Sequence, residues 1–236
     1  MKSIKIILAL VLTVSLTSCQ FGQIKGNGDV VTEERSVTAD FDEIKGSNGI
    51  DVYITQGTEN KIVVEADENL QDIIETNINN GKLTIRASKN IGRAKAKKVH
   101  VTYVSLTSIN ASSGADIIGN SVLRSENLSL AVSSGADLEV EVFTKNLTAK
   151  ASSGADLIVT GKAGTLDASA SSGSEINAKR LQVITCSAKA SSGADITVNV
   201  KDKLNAKASS GGDVKYYGDP VSVSKKDSSS GNIRKM

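Results

Sequence analysis

The sequence predicts an all-β protein, a right-handed parallel β-helix with about 20 residues per coil and an N-terminal cap rich in strands. One observation is a six-residue unit, Ser-Ser-Gly-Ala-Asp-(Ile/Leu), whose glycine recurs every 18–21 residues in the second half of the chain. Another is that apolar residues alternate with polar ones on both sides of each unit, which is the period of a strand and not of a helix. A repeat of this length indicates a solenoid, and crossovers between parallel strands favour the right hand.

The repeated unit is expected to form one corner of each coil. Clear copies begin at residues 112, 133, 152, 171, 191 and 209, with a relative at 47 and a worn copy at 229. Glycine adopts a positive φ angle with little strain, so it suits a sharp corner, and the serines beside it are expected to hydrogen-bond to the backbone or to serines of the next coil. A coil of extended chain would span about 65 Å, which is enough for one loop around a thin core.

The N-terminal half is less regular and is expected to begin the solenoid and to cover its open end, because a solenoid needs a cap. Four segments have the composition and alternation of strands. They are residues 50–54, 61–65, 82–86 and 99–103. The segment 79–82, Asn-Asn-Gly-Lys, predicts a hairpin turn, and residues 69–76 predict a short helical turn.

The start of the chain resembles a bacterial lipoprotein signal. Lys2 and Lys5 precede an apolar stretch that is too short to span a bilayer and has the length of a signal-peptide core. The segment 16–19, Leu-Thr-Ser-Cys, resembles the lipobox, in which the cysteine becomes the first mature residue and carries lipid. We therefore expect a lipid bilayer as a partner through acylated Cys19. The alternative is a plain secretory signal with an incidental cysteine.

These features divide the chain into three parts. They are a lipoprotein signal peptide (1–18), a tether (19–27) and a β-helix domain (28–236). If Cys19 is acylated, Cys186 has no partner for an internal disulfide. Cys186 also occupies the place in its repeat that Leu147 and Leu166 occupy in theirs, so it is expected to be a small core hydrophobe.

Composition argues against nucleic acid and against extensive stacking on aromatic rings. The chain has a net charge of +2, and removal of residues 1–18 takes two lysines and no acid, so nucleic acid is not expected as a partner. The chain has no Trp, three Phe and four Tyr, which are few rings for a protein that stacks sugars or bases.

One acidic residue follows the glycine of each clear repeat. These residues are Asp116, Asp137, Asp156, Glu175, Asp195 and Asp213. In stacked coils they would form a column at intervals of about 4.8 Å, where like charges repel unless they are compensated. One interpretation is a ladder of cation sites, with calcium as the cation because it prefers oxygen ligands. The other, which we favour, is that each carboxylate caps its own turn or pairs with a lysine six residues earlier, namely Lys150, Lys189 or Lys207.

A basic run without an intervening acid lies in the N-terminal half. It contains Arg86, Lys89, Arg93, Lys95, Lys97, Lys98 and His100. One interpretation is contact with an anionic envelope glycolipid or another polyanion. The other, which we favour, is a solvated loop on the cap.

The repetition itself argues against an enzyme, because an active site needs unlike groups that converge once. His100 is the single histidine and Cys186 is expected in the core, so neither a His/Cys zinc site nor a nucleophile pair is indicated. No cofactor is indicated other than calcium at the acidic column. Some β-helices act on polysaccharides, and this is the alternative function, but the short corners leave little loop for a cleft.

Together these segments resemble the GIN-domain family of Bacteroidetes-type bacteria, known as auto-transporter adhesin head domains. The resemblance covers residues 28–233. It rests on the Ser-Ser-Gly-Ala-Asp repeats and on residues 26–28, 41–44, 49–57, 218–220 and 229–231. The family pattern contains no catalytic residues to carry over.

The resemblance implies a right-handed β-helix on an envelope lipoprotein that binds or adheres. A glycan or another component of the envelope or of a host surface is the expected ligand. We expect the outer membrane as the location, and the periplasmic face is favoured because residues 20–25 have no acid, whereas surface lipoproteins of such bacteria often carry acids after the cysteine. A periplasmic structural or stress-related role is the third alternative.

Overall fold

In the computed structural model, which describes residues 22–228 and 230–236, the chain forms an all-β solenoid of about seven turns, as the repeat predicts. The described residues form seventeen strands and one 3-10 helix, Glu68–Ile73. The strands are β1 (Val30–Arg35), β2 (Glu43–Gly46), β3 (Asp51–Gln56), β4 (Lys61–Asp67), β5 (Ile74–Asn79), β6 (Lys82–Ala87), β7 (Lys97–Tyr103), β8 (Ser108–Ser112), β9 (Asp116–Gly119), β10 (Leu123–Ser133), β11 (Asp137–Ser152), β12 (Asp156–Ser171), β13 (Glu175–Ser191), β14 (Asp195–Ser209), β15 (Asp213–Tyr217), β16 (Ser222–Asp227) and β17 (Asn232–Lys235).

Each coil contributes one strand segment before its Ser-Gly corner and one after it, and these segments build two parallel stacks. The stack before the corner runs through β6, β2, β8, the C-terminal halves of β10 to β14, and β16. The stack after the corner runs through β7, β3, β9, the N-terminal halves of β11 to β14, β15 and β17. Equivalent residues of successive repeats are directly opposite one another, so the sequence period is the coil period.

The core between the stacks is thin and is filled by columns of small or medium side chains. Ala168 and its stacked equivalents Ala149, Ala188 and Ala206 are at most 1% exposed. Cys186 is buried in the leucine column, between Leu166 and Leu204, as the repeat predicts. Burial raises the pKa of its thiol to about 12, so it is a packing residue and not a reactive one.

The corners depend on two consecutive residues with positive φ. The second serine of each unit has φ between 51° and 57° from Ser113 to Ser210, and the glycine after it lies between 65° and 76°. From Gly49 to Gly193, the N–H of each corner glycine donates to the carbonyl of the second serine in the next coil, as Gly135 does to Ser153 at 3.1 Å. In these coils the main chain therefore joins the corners, and the expected bonds between the serine side chains of neighbouring coils are not formed.

Asparagine at the second serine position is expected to stabilise the corners. Serine is strained in the left-handed region, whereas Asn tolerates it, and Asn48 and Asn80 already occupy such positions with φ of 62° and 50°. Each of the single variants Ser134→Asn, Ser153→Asn and Ser172→Asn should raise the free energy of unfolding by about 0.5 kcal/mol, measured by urea denaturation. Ser133→Asn is the control, because that residue precedes the left-handed pair. An equal effect at Ser133 would contradict the explanation.

The N-terminal cap covers one end of the solenoid, as expected. The first coil contains β2 and β3. Strands β6 and β7 pair with one side of this coil, and β8 and β9 pair with the other side. Antiparallel β5, β4 and β1 extend the two stacks further. The predicted hairpin turn joins β5 to β6. The predicted helical turn is shorter than expected, because the chain is already extended from Ile74 onward.

The opposite end of the solenoid carries charges at positions that face the core in earlier coils. Lys225 lies opposite Ala206, and Asp227 lies opposite Ala208. The Lys225 ammonium lies 4.9 Å from the centre of the buried Tyr216 ring. Inward-facing charges on an edge strand hinder pairing with another edge, so these residues protect the open end.

Candidate functional site

The proposed signal peptide, Cys19 and the start of the tether lie outside the described residues. The rest of the tether is bound to the cap: Ile24 exchanges main-chain hydrogen bonds with Asn90 and Gly92, at 2.8 Å each. Within the described part, no helix is both long and apolar enough to cross a membrane.

Asp67 holds this N-terminal segment in place. Its side chain is buried and accepts hydrogen bonds from the backbone N–H groups of Gly28 (2.9 Å), Lys95 (3.1 Å) and Ala96 (2.8 Å). Burial by itself raises the pKa of Asp67, but the three donors outweigh it and hold the pKa below its ordinary value. A Cβ at Gly26 would lie 1.9 Å from Asp67 Oδ2, which explains why glycine is needed there.

The predicted basic run is divided by the structure. Three of its residues are ion-paired: Arg86 with Glu75 at 2.8 Å, Lys97 with Asp51 at 3.4 Å and Lys98 with Glu65 at 3.2 Å. The side chains of Lys89, Arg93 and Lys95 are exposed in the loop that binds the N-terminal segment, and none of them pairs with an acid of the described chain. His100 is partly exposed, lies 3.1 Å from the Glu65 carboxylate and stacks on Tyr53. The basic surface is therefore smaller than the sequence suggests.

The six predicted acidic residues do form one column. Asp116, Asp137, Asp156, Glu175, Asp195 and Asp213 are opposite one another in successive coils, and Asp51 extends the column toward the cap. Burial raises the pKa of Asp116, and the charges of Asp51 and Asp137 raise it further.

Cations compensate the two ends of the acidic column. Asp51 pairs with Lys97, Asp195 with Lys215 at 3.1 Å and Asp213 with Arg234 at 3.3 Å. The expected partners Lys150, Lys189 and Lys207 form no ion pair with the described acids, so that expectation is wrong. The carboxylates from Asp116 to Glu175 form neither an ion pair nor a side-chain hydrogen bond within the described residues, so the expected turn caps are wrong there too. The described residues contain no group of three or more His, Cys, Asp or Glu placed to hold a metal ion.

The sequence did not predict a third feature, a column of outward side chains at the turns away from the Ser-Gly corners. In this column the repeat is irregular, and every coil contributes a different residue. Its members are Arg124, Phe143, Lys162, Gln182, Asn199 and Tyr217. The pairing register shifts on both sides of this column in β13, which is where coils of unequal length absorb their extra residues. The uneven spacing of the corner glycines, 18–21 residues, is the sequence signal that could have indicated this irregular column.

A groove of about 270 Å³ lies in this region. Phe143 and Ile184, which are 55% and 54% exposed, stand on either side of β12, and Ala163 and Gly164 form the floor between them. A Cβ at Gly164 would lie 2.7 Å from the carbonyl oxygen of Lys145, so close stacking of the coils requires glycine at the floor.

Polar groups complete the groove. Lys162, Lys201 and Gln182 line it, and neither ammonium group has an ion-pair partner among residues 22–228 and 230–236. The Arg124 guanidinium lies 5.3 Å from the centre of the Phe143 ring. Arg124 belongs to β10, which lies on the side of β11 away from β12, and the groove opens over β12.

Solved structures support the fold. The chain is 20% identical to a "putative adhesin" from Bacteroides fragilis, with a TM-score of 0.84, covering 90% of this chain and all of that one. It is 22% identical to a "putative adhesin" from Parabacteroides merdae, with a TM-score of 0.70 and coverage of 91% and 99%. A "putative lipid binding protein" from Parabacteroides distasonis is 21% identical, with a TM-score of 0.73 and coverage of 91% and 99%. At these identities the likeness shows a common fold.

The family follows from the sequence. No match was found among the curated proteins. Residues 40–220 match the family model described as "Putative auto-transporter adhesin, head GIN domain". The match spans most of the chain and includes both the first coil and six of the repeated corners, so the protein belongs to this GIN-domain family.

Proposed function

We propose that the protein is a non-catalytic lipoprotein of the bacterial cell envelope, anchored through acylated Cys19, which holds a β-solenoid beside the membrane for binding or adhesion. The observation that carries the proposal is the attachment of the N-terminal segment to the cap. Five peptide units separate Cys19 from Ile24 and span at most about 18 Å when fully extended, so an anchor at Cys19 keeps the cap close to the bilayer.

The cap also presents suitable charges near the anchor. Lys25, Lys89 and Arg93 are exposed, and the main chain of Arg93 accepts a hydrogen bond from Gly26 in the attached segment. Basic side chains beside a lipid anchor strengthen its attachment to anionic membranes. The outer membrane is the proposed location, with its periplasmic face favoured by the absence of acids in residues 20–25.

A binding role is supported by the family description and by the chemistry of two residues. Cys186 is buried with a raised thiol pKa, and His100 interacts with Glu65. Neither is placed as a nucleophile or as the base of a nucleophile pair. The repeated corners present the same groups in each coil, which suits a scaffold better than a reaction centre.

Counting thiols in the full-length protein purified from cells tests the anchor. We expect no reaction with a thiol reagent in the native state, because Cys186 is buried and Cys19 is blocked by lipid, and one reactive thiol after unfolding. The Cys186→Ala variant should then have none in either state. The mass of the N-terminal peptide should show the lipid.

Two thiols after unfolding, or a mature N-terminus other than residue 19, would contradict lipid anchoring. Protease treatment of intact cells then separates the two faces of the outer membrane. Resistance of the solenoid until the outer membrane is opened supports the periplasmic face, and cleavage in intact cells overturns it.

A further inference from the structure

The groove between Phe143 and Ile184 is a place where the solenoid departs from its own repetition. At the Ser-Gly corners successive coils present the same residues, whereas here Phe143, Gln182 and two lysines, Lys162 and Lys201, line one recess. A discrete ligand needs such a set of unlike groups, and a purely structural repeat does not.

The size and walls of the recess limit its ligand. A volume of about 270 Å³ is slightly below the range of roughly 300–1,000 Å³ for sites that take drug-sized molecules, so it suits a single ring and its substituents. Phe143 and Ile184 provide apolar walls over the apolar floor of Ala163 and Gly164. A free inorganic anion would make no use of these walls. An extended membrane surface cannot fill a recess that lies between two protruding side chains.

The charged and polar groups of the groove limit the class of ligand further. Lys162 and Lys201 have no described acid as an ion-pair partner, and Gln182 adds an amide that can donate and accept. An acyl chain would make no use of these three polar groups. A sugar ring has an apolar C–H face for Phe143, hydroxyl groups for Gln182 and, in an acidic sugar, a carboxylate for the ammonium groups.

We infer that this groove binds a carboxylated sugar residue of an acidic glycan, with Phe143 as the stacking platform and Lys162 and Lys201 as the carboxylate partners. The inference rests on the proposed binding role and adds its site and ligand class. It does not depend on the lipid anchor, which has a separate test.

Titration calorimetry with the full-length protein in detergent tests the site. The probes are a galacturonic acid trimer and the same trimer with its carboxylates methyl-esterified, which differ in charge and not in ring structure. We expect the free acid to bind and the ester to bind about tenfold more weakly or worse. Phe143→Ala and the double variant Lys162→Gln/Lys201→Gln should each weaken binding of the acid by about tenfold.

The matched control is Lys150→Gln/Lys189→Gln, which removes the same charge from exposed positions on the stack before the Ser-Gly corner, away from the groove. This variant should bind the trimer as the wild type does. Equal losses in the two double variants would show diffuse attraction and overturn the site. Failure of the acid trimer to bind would also overturn it, as would equal affinity for acid and ester. Loss of binding to anionic liposomes on Phe143→Ala, without loss of trimer binding, would assign the groove to a lipid instead.

Discussion

Ala168→Asp is expected to unfold the central coils, whereas Ser169→Asp should leave them folded. Ala168 is fully buried in the core column, and Ser169 is exposed one residue later, because successive side chains of a strand point to opposite faces. The core offers the new carboxylate no cation, and burying an unpaired charge is among the most destabilising changes known. We expect a loss of about 4 kcal/mol or more in the free energy of unfolding.

Urea denaturation followed by circular dichroism measures both variants. Ser169→Asp should stay within about 0.5 kcal/mol of the wild type, as surface changes usually do. If both variants had similar stability, the assignment of the two faces of β12 would be wrong, and with it the register of the whole stack.

The second large effect is expected at the open end of the solenoid. Lys225→Val/Asp227→Ala should make the protein associate end to end, because it extends the core columns of Ala206 and Ala208 to an exposed edge. A last coil with aliphatic inner positions presents both unpaired backbone groups and an apolar surface to another chain.

Light scattering at micromolar concentration, in detergent to keep the anchor from associating, measures this effect. The control is Lys226→Val, which removes one charge from the outward column opposite Lys207 and should change nothing. An unchanged molecular mass of the double variant would contradict a protective role for the inward charges.

The sequence was sufficient for the architecture because the repeat encodes it at every level. Only stacked coils satisfy three features of the repeat at once. They are a corner pair that needs positive φ, apolar alternation on both sides of the corner, and the fixed position of Cys186. The same logic placed the six acids in one column. The repeat did not predict the cations that pair with these acids. Lys215 and Arg234 each reach an acid in the neighbouring coil, and spacing along the chain does not reveal which coil a side chain reaches.

The other features that the sequence did not predict also have physical causes. Asp67 meets Gly28 and Lys95 through contacts between distant segments, which a repeat-based reading of one chain cannot see. The groove over Gly164 lies where coils of unequal length break the alternation, so no periodic pattern marks it. Repetition therefore identifies the scaffold, and departures from repetition identify the candidate binding site.

Successive repeats stack directly in register, and an engineered disulfide between neighbouring coils tests this stacking. Lys150 and Ser169 are exposed and opposite one another in adjacent coils, so their Cα atoms should be about 4.8 Å apart, within the range for a disulfide. Lys150 and Lys189 are two coils apart and should lie beyond that range. After mild oxidation and mass analysis, we predict an intramolecular disulfide in Lys150→Cys/Ser169→Cys and none in Lys150→Cys/Lys189→Cys. The reverse result, or no disulfide in either variant, would contradict the stack.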